Sequence, residues 1–195
     1  SFQIDLTPSL KPTVGVLINL TPDHIDRHGT MENYAAVKER LVARAEVALI
    51  GVDDAFTHAI GAKLMAAENP DQRVVPISAA RALEWGFYVE GDSVYLRERG
   101  HGPEEAELIG TLKGARALRG AHNAQNAAFA AAAGYAASGY PRGPAGFPAF
   151  GFAVASAIMM VWLRPSAISV CMSASFFCTS WVAASGRPNC LRLRA

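Results

Sequence analysis

Residues 13–52 read TVGVLINLTPDHIDRHGTMENYAAVKERLVARAEVALIGV. Two apolar, β-branched runs, Thr13 to Leu20 and Val47 to Val52, stand at its ends. A continuous apolar run bounded by polar residues is the pattern of a strand covered on both faces, as in a parallel sheet. Between them, Thr30 to Ala45 has a helical period, with Tyr34, Val37, Leu41, Val42 and Ala45 forming one apolar stripe. Thr30 is placed to cap that helix, and Glu32 lies in the first turn, where the helix dipole favours an acid. Further along, residues 54–68 suit a second helix and Arg73 to Ile77 a third strand. The β-α-β-α-β alternation predicts an α/β layered fold around a parallel sheet.

The texture changes near residue 84. Gly86 to Glu90, Ser93 to Arg99 and Glu107 to Leu112 alternate in polarity, and Gly91-Asp92 separates the first two. They predict a small antiparallel meander. Gly120 then opens an Ala-rich helix from Ala121 to Ala137.

A length of 195 residues suits one domain, or one domain with an appendage. The net charge of +1 gives no argument for nucleic-acid binding. The charge is nevertheless segregated: all 17 acids lie at or before Glu107, while residues 108–195 hold eight Lys and Arg and no acid. The three cysteines, Cys171, Cys178 and Cys190, match no common zinc spacing and leave an odd thiol. The cysteine-free body fits a reducing cytoplasm. The opening SFQIDLTPSLKP lacks the basic and apolar regions of a signal peptide.

Beyond Gly139 the pattern is lost. Residues 143–163 and 165–186 carry no charge, and Arg142, Arg164 and Arg187 bracket them. Their lengths approach that of a membrane span. Pro144, Pro148 and Gly151 crowd the first run, serines dilute the second, and no aromatic belt is evident. The sudden loss of acids, with Cys, Ser, Trp and Arg appearing together, fits a reading-frame shift in a GC-rich gene, and that explanation is preferred.

Three groups of residues can carry chemistry. Asp23-His24-Ile25-Asp26 follows the first strand, at the carboxyl edge where α/β folds bind ligands. A neutral imidazole there can hold a divalent cation while a carboxylate orients its other nitrogen, or His24 is a loop residue beside a capping Asp. His28 reads as a solvated loop residue. Lys38 shares the apolar stripe, four residues after Tyr34 and three before Leu41. It can snorkel to water, or burial can lower its pKa and leave a neutral amine able to take up carbon dioxide as a carbamate, an oxygen ligand for Mg²⁺. In the third group, His122 and Asn126 are spaced i,i+4, and Asn123 and Asn126 i,i+3, at the start of the Ala-rich helix. They can meet a base or phosphate, or Asn123 can be a cap. No GxxxxGK[ST] or GxGxxG phosphate loop occurs.

These segments together resemble the Mur ligases of peptidoglycan synthesis. The resemblance rests on SFQIDLTPSLKPTVGVLINLTPDHIDRH at 1–28, GTMENYAAVKERL at 29–41 and GAHNAQNAAFAAAAGYA at 120–136. The DH-x-D and helical Lys pattern is shared across the family. The SFQ opening and the G-x-HN-x-x-N form favour its D-glutamate-adding branch. The resemblance implies an incomplete central (P-loop-type) α/β domain over residues 1–140, followed by an unrelated tail at 141–195. It implies ATP-dependent addition of D-glutamate to UDP-N-acetylmuramoyl-L-alanine, with ATP and Mg²⁺ as cofactors, in a cytoplasmic monomer with no nucleic-acid or membrane partner.

By motif position, His24 resembles the metal- and substrate-contacting His, and Lys38 the carbamylated Lys; both are the implied catalytic and metal-binding residues. His122, Asn123 and Asn126 resemble the nucleotide-side motif, and Ser1 and Gln3 fall beside the muramoyl substrate. The family's phosphate loop, its uridine-binding domain, the acidic metal ligand expected just before Ser1 and the C-terminal HR and NDSKATN-like elements do not appear. The chain is therefore expected to be an inactive part of such a ligase. Its sheet should have a bare edge at Thr13 to Leu20, with poor solubility and weakly cooperative unfolding. The alternative is a membrane-tethered, non-catalytic binding module that uses residues 143–186 as a hairpin.

Overall fold

A computed structural model describes residues 1–23, 25–115 and 120–137. His24 and the whole of the predicted tail lie outside the described residues. Chain order is α1 (Phe2–Leu6), β1 (Val14–Leu17), α2 (Ile25–His28), α3 (Met31–Ala43), β2 (Val47–Gly51), α4 (Ala55–Ala66), β3 (Arg73–Ser78), β4 (Gly86–Glu90), β5 (Ser93–Arg97), β6 (Glu107–Thr111) and α5 (Ala121–Ala137). The six strands form one sheet in sequence order, parallel from β1 to β4 and antiparallel from β4 to β6. The expected parallel sheet and antiparallel meander are thus joined into a single layer.

The local chemistry explains the elements. Thr30 caps α3, its hydroxyl accepting from the Asn33 amide at 3.2 Å. Tyr34, Val42 and Ala45 of the predicted stripe are buried, Val37 and Leu41 only partly, and Ala35 is buried instead. At the far end of α3, the Gln72 amide donates to the Val42 and Ala45 carbonyls at 2.9 and 2.6 Å, tying the end of the helix to the chain before β3. Gly91 and Asp92 form the two-residue turn between β4 and β5, with Glu90 opposite Ser93 and Gly91 at φ +60°. The first strand is shorter than the apolar run around it: Ile18 to Leu20 leave the ladder and turn over the sheet's carboxyl edge.

Helices cover the sheet on both faces. Leu49, Val75, Ile77, Phe87, Val94 and Leu96 pack with Ala128, Phe129 and Ala132 of α5. On the other face, Leu17, Ala48 and Ile50 meet Tyr34, Ala35 and Val42 of α3 and Ile60 of α4. β1 lies at the edge of the sheet and pairs only with β2 among the described residues, as the bare edge expected from the sequence requires. No helix among the described residues is long and apolar enough to cross a membrane.

Candidate functional site

The carboxyl ends of the parallel strands carry a connected set of polar groups. Asp54 follows β2 and caps α4: its carboxylate accepts from the Thr57 amide at 2.9 Å and the Thr57 hydroxyl at 2.7 Å. It also accepts from the Leu20 amide at 3.2 Å, tying the chain leaving β1 to α4. Next to it, Asp53 accepts from the Ser78 hydroxyl at 2.6 Å and the Ala79 amide at 2.8 Å. Thr57 and Ser78 are fully buried, so these carboxylates answer hydroxyls that water cannot reach. Sequence reading missed Asp53 and Asp54. The available signal was an Asp pair immediately after a buried strand, at the edge where α/β folds bind ligands.

Two groups of the sequence-predicted residues flank this edge. On one side, Ser1 Oγ and His28 Nε2 share a hydrogen bond at 3.0 Å. The His28 ring lies 5.3 Å from the buried Tyr34 ring, and Lys38 Nζ stands 5.4 Å from the same ring's centroid. Ser1, His28, Tyr34 and Lys38 therefore form one continuous wall. His28 departs from expectation: it ends α2 and is half-buried rather than solvated, because α2 folds against α3 and carries the imidazole inward. Gln3 is exposed; its backbone carbonyl accepts from the Thr7 hydroxyl at 2.6 Å.

The wall is electrostatically unusual at Lys38. Burial pushes the ammonium's pKa below its ordinary 10.5, against a smaller opposing pull from Asp23. The Tyr34 phenol moves up, through burial first and then through Asp23. Asp23 is thus close enough to act on both groups. Behind the wall, Asp5 of α1 accepts from Arg40 of α3 at 2.6 Å and from Arg27 of α2 at 3.3 Å. Those bonds hold its carboxyl below the usual carboxylate value and clamp three short elements together.

On the other side, α5 begins beside the loop after β3. His122 is exposed, while Asn123 and Asn126 are half-buried. Asn123 is the third residue of α5, inside the first turn rather than ahead of it, so it is not the helix cap. A cavity of about 540 Å³ lies here, lined by Ala79, Arg81, Asp92, Gly120, Ala121 and Ala124 among others. The Asn19 amide donates to the Gln125 side-chain oxygen at 3.0 Å, linking the chain after β1 to α5. Among the described residues, no group of three or more His, Cys, Asp and Glu gathers as a metal cluster.

A family comparison accounts for this arrangement: residues 3–134 match the family described as Mur ligase middle domain. The chain belongs to that family. The matched segment runs from α1 through most of α5, so it takes in both flanks of the carboxyl edge. Several curated relatives carry the name UDP-N-acetylmuramoylalanine--D-glutamate ligase. The one from Chelativorans sp. (strain BNC1) is 52% identical over 133 residues, 68% of this chain and 27% of the relative. The one from Brucella abortus (strain 2308) is 53% identical over 127 residues, 65% of this chain and 26% of the relative. That of Nitrobacter hamburgensis is 49% identical over 139 residues, 70% and 28% of the two chains. This Mur ligase middle domain thus spans about a quarter of the length of the curated relatives it matches.

Proposed function

We propose that this middle domain serves ATP-dependent addition of D-glutamate to UDP-N-acetylmuramoyl-L-alanine, and that the described chain is inactive by itself. The observation that carries the reading is the placement of Lys38: a half-buried amine of lowered pKa, packed on Tyr34 and within electrostatic reach of Asp23, in a domain whose relatives are named for that ligation. An amine reacts with carbon dioxide only when neutral, and burial favours the neutral form. The site therefore suits a Lys38 carbamate, which with His24 would hold Mg²⁺. That cation would neutralise charge on a transferring phosphoryl group.

The chain's own residues supply the rest. Ser1 and Gln3 are assigned to the muramoyl substrate, and His28 fixes the Ser1 hydroxyl. His122, Asn123 and Asn126, beside the cavity at the start of α5, are assigned to ATP. We also assign residues 1–140 to the ligase domain and 141–195 to a non-family tail; the family match ending at residue 134 supports that boundary.

A chimera tests the reading: residues 1–137 replace the matching segment of the Chelativorans ligase. Ligation of D-glutamate to UDP-N-acetylmuramoyl-L-alanine should persist. Lys38→Ala in the chimera should lower turnover by several orders of magnitude while substrate affinity changes little, because a group acting on developing charge contributes mainly in the transition state. Acetate should restore part of the rate by occupying the carbamate position. Lys38→Arg should remain inactive, since a guanidinium stays charged and cannot be carbamylated. Near-normal turnover of Lys38→Arg would make Lys38 a structural cation. A folded chimera without ligase activity would sink the assignment as a whole.

A further inference from the structure

The amino edge of the sheet, opposite the site described above, holds a second polar recess. Parallel pairing between β3 and β4 covers only Ile77 and Ser78 against Phe87 and Tyr88. β4 begins only at Gly86, so the lower part of β3, from Arg73 to Val75, runs on without it. Gly86 marks that start, at φ +104°, where any side chain would fall on the Pro76 carbonyl. The opening there is a groove of about 720 Å³ that reaches from the end of α4 to Tyr135 on α5.

Arginines dominate its chemistry. Arg73 opens β3, Arg97 closes β5 and Arg99 follows it, and all three line the groove. Glu68 and Glu98 line it too, yet the three guanidiniums form no ion pair with them or with any other described residue. Aromatic rings hold two of the arginines: Arg99 lies 4.0 Å from the Trp85 ring centroid and Arg97 5.6 Å from that of Tyr88. Tyr88 is itself stacked on Tyr95 at 5.5 Å, which stiffens the platform under Arg97. The decisive feature is Arg97 Nε, a buried donor without an acceptor. A buried N–H left without a partner carries its full desolvation cost, and an arriving oxyanion would remove it.

We propose that this groove binds a small oxyanion, the phosphate or carboxylate group of a soluble metabolite, through Arg97 and Arg99 with Arg73 at the rim. A guanidinium presents a planar fork of donors that matches two oxygens of such a group. Packing on Trp85 and Tyr88 fixes the forks beforehand, so less side-chain freedom is lost on binding. The groove lies at the opposite ends of the strands from Asn19, Asp54 and Lys38, so occupancy here does not depend on the ligase reading.

Calorimetric titration of the full 195-residue chain with inorganic pyrophosphate and, separately, tricarballylate at physiological ionic strength tests the proposal. Saturable binding of at least one anion to one site is expected, and which anion binds more tightly tells a phosphate ligand from a carboxylate one. Arg97→Gln should weaken binding at least tenfold. Arg97→Lys, which keeps the charge and loses the fork, should weaken it several-fold. Arg99→Gln changes an exposed residue and guards against misfolding of the Arg97 variants; it too should weaken binding several-fold. Arg44→Gln, on the exposed end of α3, should change nothing. Absence of saturable binding by both anions, affinity unaltered in both Arg97→Gln and Arg99→Gln, or an equal loss in Arg44→Gln would overturn the proposal.

Discussion

Lys38 and Asp5 show how individual charges set the pH behaviour of this domain. The folded pKa of Lys38 lies below 10.5, so below that folded pKa the folded and unfolded states are both protonated and the folded state bears the cost of a partly desolvated ammonium. As pH rises from the folded pKa to 10.5 the folded state loses its proton first, and the cost disappears. Lys38→Met, compared in carbon dioxide-free buffer, should therefore be more stable than the parent at pH 7, with the difference shrinking as pH rises through the folded pKa and levelling off once it passes 10.5. Urea midpoints across that range provide the check, and a constant difference would contradict the burial argument.

Asp5 has the opposite sign. Its folded pKa lies below 3.8, through Arg40 first and then Arg27. The stability it contributes is complete above 3.8 and is lost as pH falls through the folded value. Asp5→Asn should be less stable at pH 7 and indistinguishable from the parent in strong acid. The carboxylate is partly open to water, so the effect at pH 7 should be modest.

The secondary elements were legible in the sequence where local chemistry dictates them. Thr30 announces α3, and Gly91-Asp92 announces the β4–β5 turn, because capping and turn geometry need those side chains wherever the chain lies. The start of α5 was legible too, marked by Gly120 at φ +98°. The end of β1 was not legible: a mostly apolar run does not reveal which of its residues keep a ladder partner, and Ile18 and Leu20 are still apolar although they have left the sheet. The inward turn of His28 was equally hidden, since it depends on how α2 meets α3. The Asp53–Ser78 and Asp54–Leu20 bonds join residues 25 and 34 positions apart, beyond the reach of local pattern.

Two substitutions test these junctions. Asp54→Ala removes a helix cap and strands the buried Thr57 hydroxyl and the Leu20 amide, at a cost of about 2–3 kcal/mol. Chemical denaturation should show that shift with no change in slope. Gly15 lies where α3 crosses β1; a Cβ there would stand 2.8 Å from the Ala45 Cβ. Gly15→Ala should cost about 1–3 kcal/mol by forcing helix and strand apart. Adding Ala45→Gly should return part of it, and strict additivity of the two changes would argue against the contact.

At the scale of the whole molecule, the edge position of β1 has a direct readout in hydrogen exchange. The amides of β1 that point away from β2 should exchange at rates near those of an unstructured peptide, while those of β2 and β3 stay protected. Uniform protection across β1 would mean that another strand covers it in solution.

Because strand order follows sequence order, each strand can pair with the one that left the ribosome just before it. Such nearest-neighbour pairing keeps contact order low and lets the sheet grow during translation. Among the described elements, the helix that covers one face comes last. From Ser78 at the end of β3 to Ala137 at the end of α5, about 60 residues must still be made, which takes roughly 3 to 12 s at ordinary elongation rates. Throughout that interval Leu49, Val75 and Ile77 have no helix over them. The nascent chain thus presents an apolar platform to chaperones for seconds. Slow codons placed between residues 80 and 120 would lengthen that exposure.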